Sequence, residues 1–273
     1  MFSLSSTDGV KIAVYDWNPA GERTVLLVHG WPLSHKIFEY QLVPMLNKGY
    51  RVVMLDLRGF GSSDAPAGGY SYDQMACDIH CVVKQLKLHD VTLVGFSMGG
   101  AIALRYMNRF EGCGVKKLIL LAAAAPSWTR RPGYPYGLTR EYVNSLIAQA
   151  ATDRAKLACE FSHKQLFYCP HSQAVKGWFE DIALSASSIG TVQTAISLRD
   201  EDTRQDLAAV KVPTVILHGA KDVVVSSDLA RLQHEGIADS RLITLPNSGH
   251  GIMYDELERF NRVFFASLPG WDE

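Results

Sequence analysis

No charge excess marks this 273-residue chain: 27 lysines and arginines stand against 28 aspartates and glutamates, a net charge of −1 with the histidines neutral. That balance supplies no electrostatic footprint for nucleic acid or for an anionic membrane surface. Long apolar runs are missing as well, since nothing continuously apolar exceeds a core strand, so no membrane span is expected. Met1 to Gly9 has neither the basic nor the apolar stretch of a secretory signal, and a cytoplasmic protein is expected. Cysteine is scarce and odd in number, five in all, which fits a reducing compartment better than a disulfide framework. Cys77, His80 and Cys81 share i, i+3, i+4 spacing, yet no fourth ligand lies nearby and they sit off the apolar stripe Met75, Ile79, Val82, Leu86. They read as helix-surface residues. Cys113, Cys159 and Cys169 show no ligand spacing and read as packing residues, so neither metal nor cofactor is expected.

Phosphate-binding signatures are absent too. Asp56 to Asp64 is glycine-rich but lacks the Gly-Lys-Ser/Thr ending of a P-loop, and reads as a turn held by an Arg58–Asp64 pair. The glycines between Gly95 and Gly100 have the wrong spacing for a dinucleotide fingerprint.

What the chain does have is Val91-Thr92-Leu93-Val94-Gly95-Phe96-Ser97-Met98-Gly99-Gly100-Ala101, an apolar strand turning abruptly into a helix with one serine at the corner. Gly95 and Gly99 flank Ser97 where side chains would collide as strand and helix crowd together. The helix from Met98 through Leu104 and Met107 aims its positive end at charge forming beside Ser97. A serine hydroxyl is a weak nucleophile at neutral pH, so it needs a histidine base and an acid that orients the base. Position selects both. Asp222 follows the strand pattern Val212 to Leu217, and His250 follows the strand pattern Arg241 to Leu245, each in a loop past a strand end. The order Ser97, Asp222, His250 is that of a serine hydrolase built on an α/β sheet. The Met98 N–H, at the helix start, is one donor for the oxyanion that forms when Ser97 attacks a carbonyl.

Short apolar runs at Val25–Val28, Val52–Leu55, Val91–Val94 and Leu118–Leu121, separated by helix-length segments, read as parallel strands covered on both faces. Alternating segments on either side of Asp8-Gly9 predict an N-terminal hairpin, and Ser71 is placed to cap the next helix. Between residues 126 and 207 the alternation lapses into helical patterns such as Glu141–Ala150 and Trp178–Leu198. This predicts a helical cap inserted into an α/β core of residues 1–125 and 208–273.

Together His29-Gly30-Trp31-Pro32, Asp56 to Asp64, Gly95 to Gly100, Lys116 to Ala125, His218 to Asp222 and Gly249-His250-Gly251 resemble the α/β-hydrolase superfamily. Within it the chain is similar, over nearly its whole length, to the bacterial aryl esterase, cofactor-free haloperoxidase and perhydrolase group. The resemblance implies a mostly parallel sheet with helices on both faces, and serine esterase chemistry on a small-molecule ester. It implies Trp31 N–H as the second oxyanion donor, with Pro32, Phe161, Phe167 and Val224 in the substrate pocket. Proline at position 32 is associated in that group with perhydrolysis, in which peroxide attacks the acyl-serine. Ser226-Ser227 departs from the group's usual proline and larger apolar residue, which predicts an altered pocket wall. His29 is expected to shape its turn. Serine at 97 argues against dehalogenase or epoxide hydrolase chemistry, whereas carbon–carbon hydrolases, lactonases and a non-enzymatic ligand receptor remain alternatives. No nucleic-acid or membrane partner is expected, and homo-oligomerisation stays open.

Overall fold

The computed structural model describes residues 1–271. Eight strands form one sheet: β1 (Phe2–Ser5), β2 (Lys11–Trp17), β3 (Thr24–Val28), β4 (Arg51–Leu55), β5 (Val91–Phe96), β6 (Val115–Leu121), β7 (Thr214–Gly219) and β8 (Ser240–Leu245). Their order is β1-β2-β4-β3-β5-β6-β7-β8. The expected hairpin is β1 against β2, and β2 pairs antiparallel with β4. From β4 across to β8 every neighbouring pair is parallel. Successive side chains of a strand face opposite sides. Leu26, Val28, Val53 and Leu55 therefore enter one apolar layer while Val25, Leu27, Val52 and Met54 enter the other.

Parallel neighbours require crossovers, and helices supply them. They are α1 (Glu39–Asn47), α2 (Tyr72–Gln85), α3 (Met98–Arg109) and α8 (Ser227–Gly236), with α4 (Arg140–Thr152), α5 (Arg154–Glu160), α6 (Gln173–Leu184) and α7 (Ser188–Asp200) between β6 and β7; α9 (Ile252–Asp255) and α10 (Leu257–Ala266) follow β8. Ser71 caps α2 as expected, its hydroxyl accepting from Gln74 N–H. None of the described helices is long and apolar enough to cross a membrane.

Two local expectations are corrected. The Trp178–Leu198 pattern is two helices, not one: Ser187 caps α7 by accepting from Gly190 N–H, and Arg154 collects the carbonyls of Leu184 and Ala186 at the end of α6. Arg58 does not pair with Asp64. Its buried guanidinium grips Asp78 of α2 with two bonds of 2.6 and 2.7 Å and reaches Asp8 at 2.8 Å, tying the hairpin to α2. Asp64 instead accepts from Lys11 N–H at 2.9 Å.

The strand order reverses direction at β3, whose successors β4 and β5 lie on its two sides. Loops leaving the carboxyl ends of β3 and β5 diverge there, which opens the crevice where ligands bind in such sheets.

Candidate active site

Ser97 stands at the corner between β5 and α3 with φ 53° and ψ −120°, a conformation that costs a residue with a side chain about 1–3 kcal/mol. The flanking glycines make the corner possible. A Cβ on Gly95 would lie 2.6 Å from Gly100 Cα, and one on Gly99 would lie 2.4 Å from the His29 carbonyl. The loop after β3 presses on the same corner, since a Cβ on Gly30 would lie 2.7 Å from Ser97 Cβ.

The loops after β7 and β8 converge on this serine. His250 Nε2 lies 2.9 Å from Ser97 Oγ, and His250 Nδ1 lies 2.8 Å from Asp222 Oδ2. The side chains of Asp222 and His250 are fully buried. Asp222 Oδ1 accepts from Val224 and Val225 N–H, both at 2.8 Å, so one carboxylate oxygen is fixed by backbone and the other faces the imidazole. His218 braces this loop by donating from Nε2 to the Val225 carbonyl, and burial pushes its imidazole below the usual range. Asp200 and Asp202 are engaged with arginines, Asp200 with Arg199 and Arg140 and Asp202 with Arg204.

Two residues that sequence reasoning missed hold the His250 loop. Asp255, whose side chain is fully buried, accepts from Gly249 N–H at 2.7 Å, Tyr168 N–H at 2.9 Å, Cys169 N–H at 3.1 Å and His171 Nε2 at 2.9 Å. Its neighbour Glu256 accepts from Asn247 N–H and Ser248 Oγ. Gly251 N–H donates to the Leu166 carbonyl at 2.6 Å, so the loop is also stapled to the helical segment. Acidic residues just past a histidine loop were the only sequence signal, and nothing in it revealed that three chain segments meet there.

His29 keeps to its own turn: Nδ1 lies 2.9 Å from the Gly30 carbonyl and Nε2 accepts from Leu57 N–H at 2.9 Å. Burial pushes this imidazole down to about 4, so it is neutral at pH 7. Among the described residues, neither Trp31 N–H nor Met98 N–H meets a hydrogen-bond acceptor. The Trp31–Pro32 peptide is cis and Pro32 is buried.

A cavity of about 180 Å³ has Trp31, Phe161, Leu157, Trp128 and Val224 among its walls and the exposed Tyr142 and Val223 at its rim; Ser97 and His250 do not line it, and Trp31 and Val224 are its links to their loops. Trp31 and Phe161 meet edge to face at 6.4 Å, and Val224 lends its carbonyl to Trp128 Nε1. Of the four expected pocket residues, Phe161 and Val224 line this cavity. Pro32 and Phe167 do not. Phe167 packs instead against Gly251, His171, Phe179 and Tyr254, behind the His250 loop, because its ring fills the space left by a missing Cβ. The Ser226-Ser227 departure likewise falls outside the cavity walls, with Ser226 capping α8.

All five cysteines are free, and among the described residues Cys77, His80 and Cys81 do not fall in a cluster of metal-ligating side chains, the His80 ring stacking on Phe110. Cys159 stands one helical turn from His163, and both lie near Glu180.

Residues 23–257 match a family described as alpha/beta hydrolase fold. The chain is 49% identical over 241 residues to the AB hydrolase superfamily protein YisY of Bacillus subtilis (strain 168), covering 88% of this chain and 90% of that protein. The esterase EaEST from Exiguobacterium antarcticum is similar in structure with a TM-score of 0.94 at 45% identity, covering 97% of this chain and 98% of that one. The bromoperoxidase from Bacillus anthracis follows with a TM-score of 0.91 at 31% identity and the same coverage, 97% and 98%. A match across most of the chain, together with a sheet that is parallel from β4 to β8, places this protein in the alpha/beta hydrolase fold family.

Proposed function

We propose that this protein is a serine hydrolase of small carboxylic esters that works through an acyl-Ser97 intermediate. The observation that carries the reading is the buried chain of contacts from Asp222 through His250 to Ser97, 2.8 and 2.9 Å long. His250 Nε2 takes the proton from Ser97 Oγ as the oxygen attacks the ester carbonyl carbon. Asp222 keeps the Nδ1–H tautomer and stabilises the imidazolium. Negative charge moves to the carbonyl oxygen, where the unpaired N–H groups of Met98 and Trp31 are the donors. Collapse returns the His250 proton to the departing alcohol. Water, deprotonated by His250, then releases the acid and restores Ser97.

Residues 126–207 act in this reading as a cap that shapes the acyl site. A cavity of about 180 Å³ is smaller than the roughly 300–1,000 Å³ of sites for drug-sized ligands, which favours short acyl chains. Similarity to a bromoperoxidase, together with proline at position 32, supports perhydrolysis as a side activity: peroxide replaces water in attack on acyl-Ser97 and leaves as the peracid. The test is covalent labelling with a fluorophosphonate followed by peptide mass analysis, alongside hydrolysis of p-nitrophenyl esters from acetate to octanoate. Label on Ser97 and preference for the short esters are expected. An unlabelled Ser97 in folded protein would overturn the reading, and would favour a ligand receptor on the same fold.

A further inference from the structure

Away from Ser97, three side chains of different donor chemistry meet on the helical segment. Cys159 lies in the last turn of α5, His163 four residues later in the wider turn Phe161–Gln165, and Glu180 comes across from α6. One ligand atom from each falls within 4.8 Å of the other two, and His163 Nε2 is already 2.9 Å from Glu180 Oε2. All three residues are half-buried, and the Cys159 thiol is not in a disulfide. The turn that carries His163 is a π-helix, with Leu166 N–H bonding the Phe161 carbonyl at 2.9 Å; such turns recur at functional sites.

We propose that Cys159, His163 and Glu180 form a binding site for a zinc-class divalent cation, with water as the fourth ligand. Thiolate, imidazole and carboxylate are the ligand types zinc takes, at bond lengths of about 2.0–2.3 Å. Tetrahedral bonds of those lengths set ligand atoms about 3.5 Å apart, so the His163–Glu180 pair opens by roughly half an ångström while the wider separations close by up to roughly an ångström, both within reach of side-chain rotation. Calcium and magnesium prefer all-oxygen sets and fit this one poorly. Binding exchanges the Cys159 thiol proton, and any proton shared between His163 and Glu180, for the cation. No electron moves. The bound ion clips α5 and its following turn to α6, and that stretch carries Leu157 and Phe161, two walls of the cavity.

The test needs no enzymatic activity. Chelator-treated full-length protein is titrated with Co²⁺, then with Zn²⁺, while thiolate-to-cobalt absorption in the near ultraviolet and the thermal midpoint are followed. One equivalent of Co²⁺ should produce the thiolate band, Zn²⁺ should remove it, and Zn²⁺ should raise the midpoint. Cys159→Ser should abolish the band and the midpoint shift. His163→Gln and Glu180→Gln should each weaken binding at least about tenfold, while Cys81→Ser and Cys169→Ser leave it intact. Absence of the band in the wild type, its survival in Cys159→Ser, or equal stabilisation of wild type and Cys159→Ser by Zn²⁺ would overturn the proposal.

Discussion

Replacing Asp222 by asparagine should remove nearly all esterase turnover while leaving the fold intact, and the hydrogen bonds dictate why. Oδ1 accepts from two backbone N–H groups, Val224 and Val225, at 2.8 Å each, whereas Oδ2 faces His250 Nδ1 at 2.8 Å. In Asp222→Asn the amide oxygen must take the Oδ1 position. Turned the other way, its NH₂ would confront two donors, and each buried group left unpaired costs about 1–3 kcal/mol. The NH₂ therefore points at His250, where Nδ1 can only accept from it. That choice moves the ring proton to Nε2, the nitrogen 2.9 Å from Ser97 Oγ, which then has no lone pair for the hydroxyl proton. A wrong tautomer of this kind costs about 10⁴ in turnover, roughly 5.5 kcal/mol of barrier. Asp222→Ala differs in kind: it strands both N–H groups, so it should lower the thermal midpoint as well. Steady-state hydrolysis of p-nitrophenyl acetate and thermal unfolding of the three proteins check this. Turnover of Asp222→Asn within about tenfold of wild type, or equal midpoints for the two variants, would refute the reasoning.

Ser97→Ala and His250→Ala should each lower kcat by several orders of magnitude, and the double variant should be little worse than either, measured by steady-state kinetics. Asp255→Asn should lower kcat by roughly 10- to 100-fold with a smaller change in KM, because an amide nitrogen in place of one carboxylate oxygen cannot accept two of the four bonds, which loosens the loop that places His250. Acid should destabilise the fold through His29. Its imidazole titrates at about 4 when folded against about 6.5 when unfolded, so the unfolded chain binds more protons in that window, and stability present above pH 6.5 falls by up to about 3 kcal/mol by pH 4. Urea unfolding across that range should show a shallower pH slope in His29→Gln. Pro32→Leu should shift the ratio of peracid formation to ester hydrolysis towards hydrolysis, with both rates measured on both proteins. An unchanged ratio would leave Pro32 a structural residue only.

The residues that assemble around Ser97 were legible because each is announced locally. Ser97, Asp222 and His250 all sit just past an apolar run that reads as a strand, beside glycines that mark a sharp change of direction. Parallel strands then carry the three loops to one edge of the sheet without any further signal being needed. Arg58 shows where such reading ends: sequence nearness favoured Asp64, but the long side chain turns inward to Asp78, twenty residues away, where both guanidinium edges are satisfied. The helical segment is the least legible for a related reason. Ser185 to Ser187 interrupt an apolar pattern that by itself supports one long helix, and the break depends on Arg154, a residue from another helix. Phe167 is a pocket residue by resemblance alone, and a resemblance does not say which side of a loop a ring will take: here it packs against Phe179 and does not line the cavity.

Val224 joins the two halves of the candidate site. Its N–H holds Asp222, its carbonyl accepts from Trp128, and its side chain forms part of the cavity wall. The first two bonds belong to the backbone, which any residue but proline can supply. Only the third belongs to the side chain. A change of acyl preference at position 224 therefore requires no change in how the acid is held, and the same holds on the opposite wall. There Trp31 turns its indole to Phe161 and the Thr191 carbonyl while its backbone N–H has no acceptor among the described residues. The machinery assigned to chemistry is built from backbone N–H groups and buried loop residues, and the machinery assigned to selection from side chains above them. Under the proposed function, such a division would let one sheet-edge site accept different esters while the geometry at Ser97 stays fixed.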